Sequence, residues 1–209
     1  MTGRAAPLPM FPLGTVLFPH APLPLHVFEP RYRALAHDVV AGEGEFGVVL
    51  IERGSEVGGG DTRTALGTLA TVAEAHELDD GRWAILAVGA RRIRVRSWLA
   101  DDPYPRARVE EVAEGPWPAD GAALVDMIAR GVRRSLALRA ELGEPAAPVT
   151  VELDPDPRIA AWQLAFLGPL GAYDRQRVLA VDDPRERLVL LGELVADANV
   201  LLATRAAGG

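Results

Sequence analysis

LPMFPLGTVLFPHAPLPLHVFEPRYRAL, residues 8–35, decides how the rest of this 209-residue chain is read. Its apolar runs at 8–13, 16–18 and 23–28 are broken by prolines and a glycine. Proline removes a backbone donor and fixes φ, so runs punctuated in this way suit brief β segments better than a helix. After Phe28 the pattern changes. Pro30 stands where the first turn of a helix accepts proline, and Leu35, Val39 and Val40 follow at helical spacing, so a strand passes into a helix at Glu29-Pro30-Arg31-Tyr32.

Working outward, residues 45–52 (EFGVVLIE) read as a buried strand between Gly44 and Gly54. A flexible loop is expected over 55–64, with Gly58-Gly59-Gly60 at its tip; three glycines can cradle a phosphate, but only when they feed a helix, and here a strand follows. Residues 66–78 and 82–88 flank Asp79-Asp80-Gly81, a hairpin turn signal. Further strands are expected over 91–99 and 104–112. In RRIRVRSWL, Arg92, Arg94 and Arg96 alternate with Ile93 and Val95, which places three arginines on one strand face; Arg106 and Arg108 are again in step. The result is a mainly antiparallel β lobe over residues 1–115, closed or nearly closed into a barrel.

AEGPWPA at 113–119 marks the boundary, and beyond it the apolar period becomes helical. A helix is expected over 121–142, then a proline-rich loop at 144–156 with a short β-like VTVEL. Asp156 caps a helix that has Pro157 at its first position and ends near Gly168-Pro169; a short helix follows over 173–181. Asp183-Pro184-Arg185-Glu186 is a capping box for the last helix, whose apolar face carries Leu188, Leu191, Val195 and Leu202. The fold class is therefore α+β, with a C-terminal α-helical bundle lobe over 116–209.

The segments PLGTVLFP at 12–19 and LHVFEPRYRAL at 25–35 resemble the opening of the Lon N-terminal, or LON substrate-binding, domain family, above all its short stand-alone bacterial members. Residues 66–95 are similar to the family's later strands, and 160–202 to its helical tail. The resemblance implies a PUA-like β-barrel and recognition of polypeptide segments, without the ATPase and protease domains that follow in the protease Lon. Those domains need a P-loop lysine and a Ser–Lys dyad. All 22 basic residues of this chain are arginine, so neither is available within it.

Composition excludes other classes. A formal charge of −7 repels polyanions overall, so nucleic acid is not the default partner. The absence of cysteine removes disulfides, thiolate metal sites and cysteine nucleophiles. No apolar run approaches a membrane span, and prolines interrupt the N-terminus too often for a secretory signal, so a cytoplasmic location is expected.

No catalytic group is expected. The serines are Ser55, Ser97 and Ser135, none within G-x-S-x-G. His20, His26 and Glu29 lack the spacing that sets two ligands on one helix face, and Asp79-Asp80, Asp101-Asp102 and Asp182-Asp183 lie at turns or caps that favour aspartate locally. No metal or cofactor is assigned. Two surfaces remain. Phe28, Glu29, Arg31 and Tyr32 either staple the first helix to the barrel or line a peptide-binding groove, pictured as an apolar groove between the lobes with sheet edges open to strand addition. Arg92, Arg94, Arg96, Arg106 and Arg108 form the alternative polyanion face of an RNA or nucleotide binder, unless Glu74, Glu77, Glu110 and Glu111 neutralise it across the strands. The expected partners are unfolded or extended polypeptide segments, with a protease machine as a further partner that the resemblance allows. The chain is read as a monomer, or a weak dimer through the apolar face of its last helix.

Overall fold

The computed structural model describes residues 6–53 and 62–208. The 58–60 glycine run lies outside the described residues. In chain order the elements are β1 (Leu8–Leu13), β2 (Pro22–Val27), α1 (Pro30–Ala41), β3 (Glu45–Arg53), β4 (Thr62–Glu77), β5 (Trp83–Trp98) and β6 (Arg106–Glu111), then α2 (Gly121–Glu141), α3 (Pro157–Leu167), α4 (Ala172–Ala180) and α5 (Pro184–Gly208). They divide into two compact units, Met1–Ala113 and Glu114–Gly209, the first holding the strands and α1, the second holding α2 to α5. The α+β class holds. No helix among the described residues is long and apolar enough to cross a membrane.

In the first unit the strand order is β2-β5-β4-β3-β1-β6, and a further β5–β6 pairing closes the last five into a barrel. The length of β5 makes this possible. Its first half, Trp83 to Val88, pairs with β2, its second half, Ile93 to Trp98, pairs with β6, and β4 runs along its other edge. Closure removes the open edges that a flat sheet would leave. Every pairing is antiparallel except β1 with β3, which are parallel because β2 and α1 form the crossover between them.

Inward positions of the barrel carry Leu8, Met10, Val49, Leu69, Ile93, Ala107 and Val109 in one buried cluster. Burial of each large member stabilises by about 1.5–3 kcal/mol before conformational entropy is subtracted.

The strands expected at 82–88 and 91–99 are one continuous β5. Its register with β4 steps from Ala70↔Gly89 to Leu69↔Arg91, so residue 90 is an extra residue in a bulge that changes the alternation without ending the strand. The apolar run 16–18 is not a strand. Val16, Leu17 and Phe18 are buried in a loop laid against the outside of the sheet, where the Thr68 hydroxyl donates 2.6 Å to the Leu17 carbonyl. A Cβ on Gly89 would stand 2.1 Å from the Phe18 carbonyl oxygen, so this loop requires glycine at that point of β5.

In the second unit α2 and α5 run in the same direction, since their contacts advance together: Ile128 near Gly192, Gly131 against Val195, Ser135 on Asn199. Asp156 caps α3 by accepting from Arg158 N at 2.9 Å. Asp183 caps α5, its Oδ1 accepting from Arg185 N at 2.8 Å and Glu186 N at 3.0 Å. VTVEL does not form a strand; a turn closes there, with Val151 N donating to the Pro148 carbonyl at 3.0 Å. Leu188, Leu191 and Val195 are buried within the single chain, so they supply no dimer face.

Candidate functional site

The strand-to-helix passage at residues 25–35 builds a small cleft within the first unit. Glu29 precedes α1 with extended backbone and makes no side-chain cap; the helix starts on Pro30 and on the 2.8 Å bond from Arg33 N to the Glu29 carbonyl. The Glu29 carboxylate is left free to take Arg31 Nε at 3.2 Å. The Arg31 guanidinium in turn lies 4.5 Å over the Tyr32 ring. Tyr32 is 4% exposed and stacks on Phe11 of β1, ring centroids 4.3 Å apart and nearly parallel, with Phe46 of β3 tilted against Phe11 from further in. This aromatic stack fastens α1 to the barrel.

Phe28 behaves differently. It is 56% exposed, one residue beyond β2, at a cleft of about 190 Å³ lined also by Leu13, Pro24, Leu25, Glu29 and Tyr32. Of the four residues expected to form a groove, Phe28, Glu29 and Tyr32 come together there, whereas Arg31 stands behind and holds Glu29. Pro24 and Leu25 were not singled out from the sequence; the alternation in PLPLHV, which puts Leu23 and Val27 inward and Pro22, Pro24 and His26 outward, is a signal for Pro24 and gives none for Leu25, which shares the phase of Leu23 and Val27.

The free side of β2 sets what such a cleft can hold. Gly89 N donates to the Ala21 carbonyl at 3.0 Å, which fixes the bonding phase of the β2–β5 ladder: Leu23, Leu25 and Val27 turn their backbone groups to β5, and Pro22, Pro24 and His26 turn theirs away. That outward edge offers three carbonyls but a single N–H, on His26. It cannot pair fully with an incoming strand, so the expected strand addition is opposed at this edge and apolar side-chain contact is what the cleft provides.

The arginine face departs from the expected geometry. Arg92 is fully buried. Its Cα partner is Thr68, the residue beneath the 16–18 loop, so that loop covers the outward face of β5 where alternation alone leaves an arginine in solvent. A second bulge between Val95 and Ser97 sets Arg96 out of register with Arg94. Arg96 forms an ion pair with Glu110, and Arg91 pairs with Glu111 at 2.7 Å and Glu45 at 3.9 Å. Arg94 lies opposite Glu110, Arg106 is half-buried and Arg108 is exposed. The outward side of these strands therefore does not present five open arginines: Arg92 is buried and Arg96 is paired with a carboxylate.

The remaining candidates have local structural partners. Ser135 is buried and donates to Asn199, and Ser55 lies outside the described residues. Asp80 accepts from Arg82 N at 3.1 Å and Arg82 Nε at 2.6 Å; the backbone bond is the largest of the effects that hold its carboxyl below the usual range. His26 Nε2 lies 3.2 Å from Arg82 Nη1 and His20 adopts a φ of 61°; among the described residues no three histidines or carboxylates come together as a metal site.

The profile of the ATP-dependent protease La (LON) substrate-binding domain matches residues 7–197. The chain belongs to the LON substrate-binding domain family. Relatives of this LON domain include the Lon protease of Trichlorobacter lovleyi, 27% identical over 95% of the chain and 25% of that protein, and the Lon protease of Anaeromyxobacter dehalogenans, 30% identical over 91% of the chain and 23% of that protein. The chain thus spans about a quarter of the length of the curated relatives it matches. Among solved structures, the Lon N-terminal domain protein from Xanthomonas campestris is 28% identical with a TM-score of 0.62, covering 89% of this chain and 96% of that one. The N-terminal domain of Mycobacterium avium complex Lon protease shares the fold at a TM-score of 0.66 and 20% identity, covering 92% of this chain and 99% of that one.

Proposed function

We propose that this LON domain is a non-catalytic module that recognises apolar segments of incompletely folded polypeptides, and that the cleft under Phe28 is where the β unit takes them. The exposure of Phe28 carries this reading. A phenyl ring left 56% in water beside an apolar cleft, while Tyr32 four residues later is stacked away, is positioned for a ligand and not for packing. Membership of a family described as a protease's substrate-binding domain supports polypeptide as the ligand class. Glu29 and Arg31 would set the shape of the cleft through their mutual ion pair, with Glu29 open to a ligand N–H.

The test is binding of the purified chain to an unfolded model polypeptide and to a short single-stranded RNA, each at low and high salt. The expected result is polypeptide binding that survives salt and is lost in Phe28→Ala. Salt-sensitive RNA binding without polypeptide binding would overturn the reading in favour of the exposed arginines of the strands.

A further inference from the structure

The helical unit carries a second surface with a different chemistry. α2 and α5 touch closely where Gly131 meets Val195, and a polar clamp locks them there: Asn199 Nδ2 donates to the Gly131 carbonyl at 3.0 Å and the Ser135 hydroxyl donates to Asn199 Oδ1 at 2.8 Å. Alongside this contact a groove of about 710 Å³ runs between the two helices, with Ile128, Gly131, Gly192 and Val195 lining it. Two glycines leave it without filling side chains. At its margins Met127 and Val200 are 47% and 66% exposed. Arg130 and Arg134 also line it from α2, one turn apart; both are exposed and form no ion pair among the described residues. In a chain of net charge −7, where arginine after arginine is matched to a carboxylate, two unmatched cations along one margin of an apolar groove favour a partner with complementary charge.

We infer that the α2–α5 groove binds an amphipathic helix of another polypeptide, apolar on the face that enters the groove and acidic along the flank that lies against α2. The groove walls are helices whose backbone groups are satisfied internally, so they offer no ladder to an extended chain; a helical ligand brings its own satisfied backbone and needs only side-chain contact. Arg130 and Arg134, four residues apart, match carboxylates four residues apart on the ligand. Glu193 on the α5 side favours a neutral or basic residue on the ligand's other flank, which fixes orientation. A second copy of this chain fits less well, because it would set one concave groove against another and bring its own arginines. The inference rests on the polypeptide-binding reading for ligand class only; the surface is separate.

The probe is a fluorescent synthetic amphipathic helix of roughly 18 residues, leucine along one face and glutamate on one flank, compared by anisotropy with the same peptide carrying lysine for glutamate. The glutamate peptide is expected to bind about ten-fold more tightly, and Arg130→Glu combined with Arg134→Glu to reverse that preference. Met127→Glu, at an exposed position, should weaken the glutamate peptide while leaving the fold intact, and Phe28→Ala should leave its binding unchanged. Equal binding of the two peptides, or indifference to the α2 substitutions, overturns the inference. So does a dimer in sedimentation that Met127→Glu dissociates, since the groove would then be covered by a second copy. Failure of the unsubstituted chain to bind the unfolded polypeptide, or binding that Phe28→Ala leaves intact, with the helix peptide still bound, would sink the Phe28 reading alone.

Discussion

The Tyr104 hydroxyl donates a 2.8 Å hydrogen bond to Asp38 Oδ2, joining the segment before β6 to α1 across 66 residues of sequence. Tyr104 is 6% exposed, and burial, reinforced by the Asp38 carboxylate, pushes its hydroxyl up to about 12. The Tyr104 bond and then His37 lower the Asp38 carboxyl from its usual 3.8. The two shifts act at opposite ends of the pH range. Asp38 contributes stability above about pH 4 that is lost as pH falls through its depressed value. Tyr104 contributes stability below about pH 10 that is lost as pH rises toward its raised value, because the unfolded phenol ionises first. Tyr104→Phe should cost about 1–2 kcal/mol at pH 7 and flatten the alkaline limb. Urea unfolding at pH 7 and pH 11 reads both; an unchanged limb would show that another group sets it.

Phe28 and Tyr32 should separate binding from folding. Tyr32→Ala removes one half of the stack on Phe11 and is expected to destabilise by roughly 3–5 kcal/mol. Phe28→Ala, at an exposed site, should change stability by less than about 0.5 kcal/mol while weakening unfolded-polypeptide binding. Thermal unfolding together with a binding titration checks the pair, and a destabilised Phe28→Ala would mean that the ring is structural after all.

The α2–α5 clamp should be cooperative. Asn199→Ala strips the Ser135 hydroxyl and the Gly131 carbonyl of a partner in a buried setting, at a cost of about 1–3 kcal/mol. Ser135→Ala on top of it should add little, because its bond to Asn199 is already gone and what remains is the 3.1 Å bond to the Gly131 carbonyl within its own helix; full additivity in a double-mutant cycle would refute a shared network. Gly131→Ala places a Cβ 2.9 Å from Val195 Cγ1 and should cost about 1–3 kcal/mol, outweighing the better helix propensity of alanine.

Arg187 is 7% exposed, lies 4.1 Å over the Trp162 ring, donates to the Val181 carbonyl at 3.3 Å and pairs with Glu114. A planar guanidinium can stack and donate in two directions at once, which an ammonium cannot. Arg187→Lys should therefore lose roughly 2–3 kcal/mol, a loss that persists in high salt because the group is sheltered from screening. Denaturant midpoints measured with and without about 1 M salt decide this; a loss that vanishes with salt would mean a surface ion pair.

How far the sequence carried the reading is visible element by element. The prolines and caps of 8–35, 156–157 and 183–186 placed β1, β2, α1, α3 and α5, because proline and N-cap chemistry act over a few residues and need no tertiary context. The resemblance carried by 12–19 and 25–35 was enough for the family. Alternation failed where distant chain intervened: Arg92 reads as solvated from its neighbours Ile93 and Val95, yet the loop 16–18 covers the sheet at its cross-strand partner Thr68. Bulges at 90 and 96 are likewise invisible to a period-two count, since they answer to the register of a partner strand.

The site divides along the same line. Local sequence determined that an aromatic-bearing strand runs straight into a proline-started helix at 28–32; that Pro22 and Pro24 face the free edge of β2, against the strand addition expected of the sheet edges, was decided by the β2–β5 pairing. Only the tertiary structure decided which ring of that segment is available, by giving Tyr32 the Phe11 face to stack on and giving Phe28 none. Exposure is a property of what packs on a residue, and for Phe28, Arg92 and the Gly131–Gly192 groove those atoms come from elsewhere in the chain, beyond the reach of any local pattern.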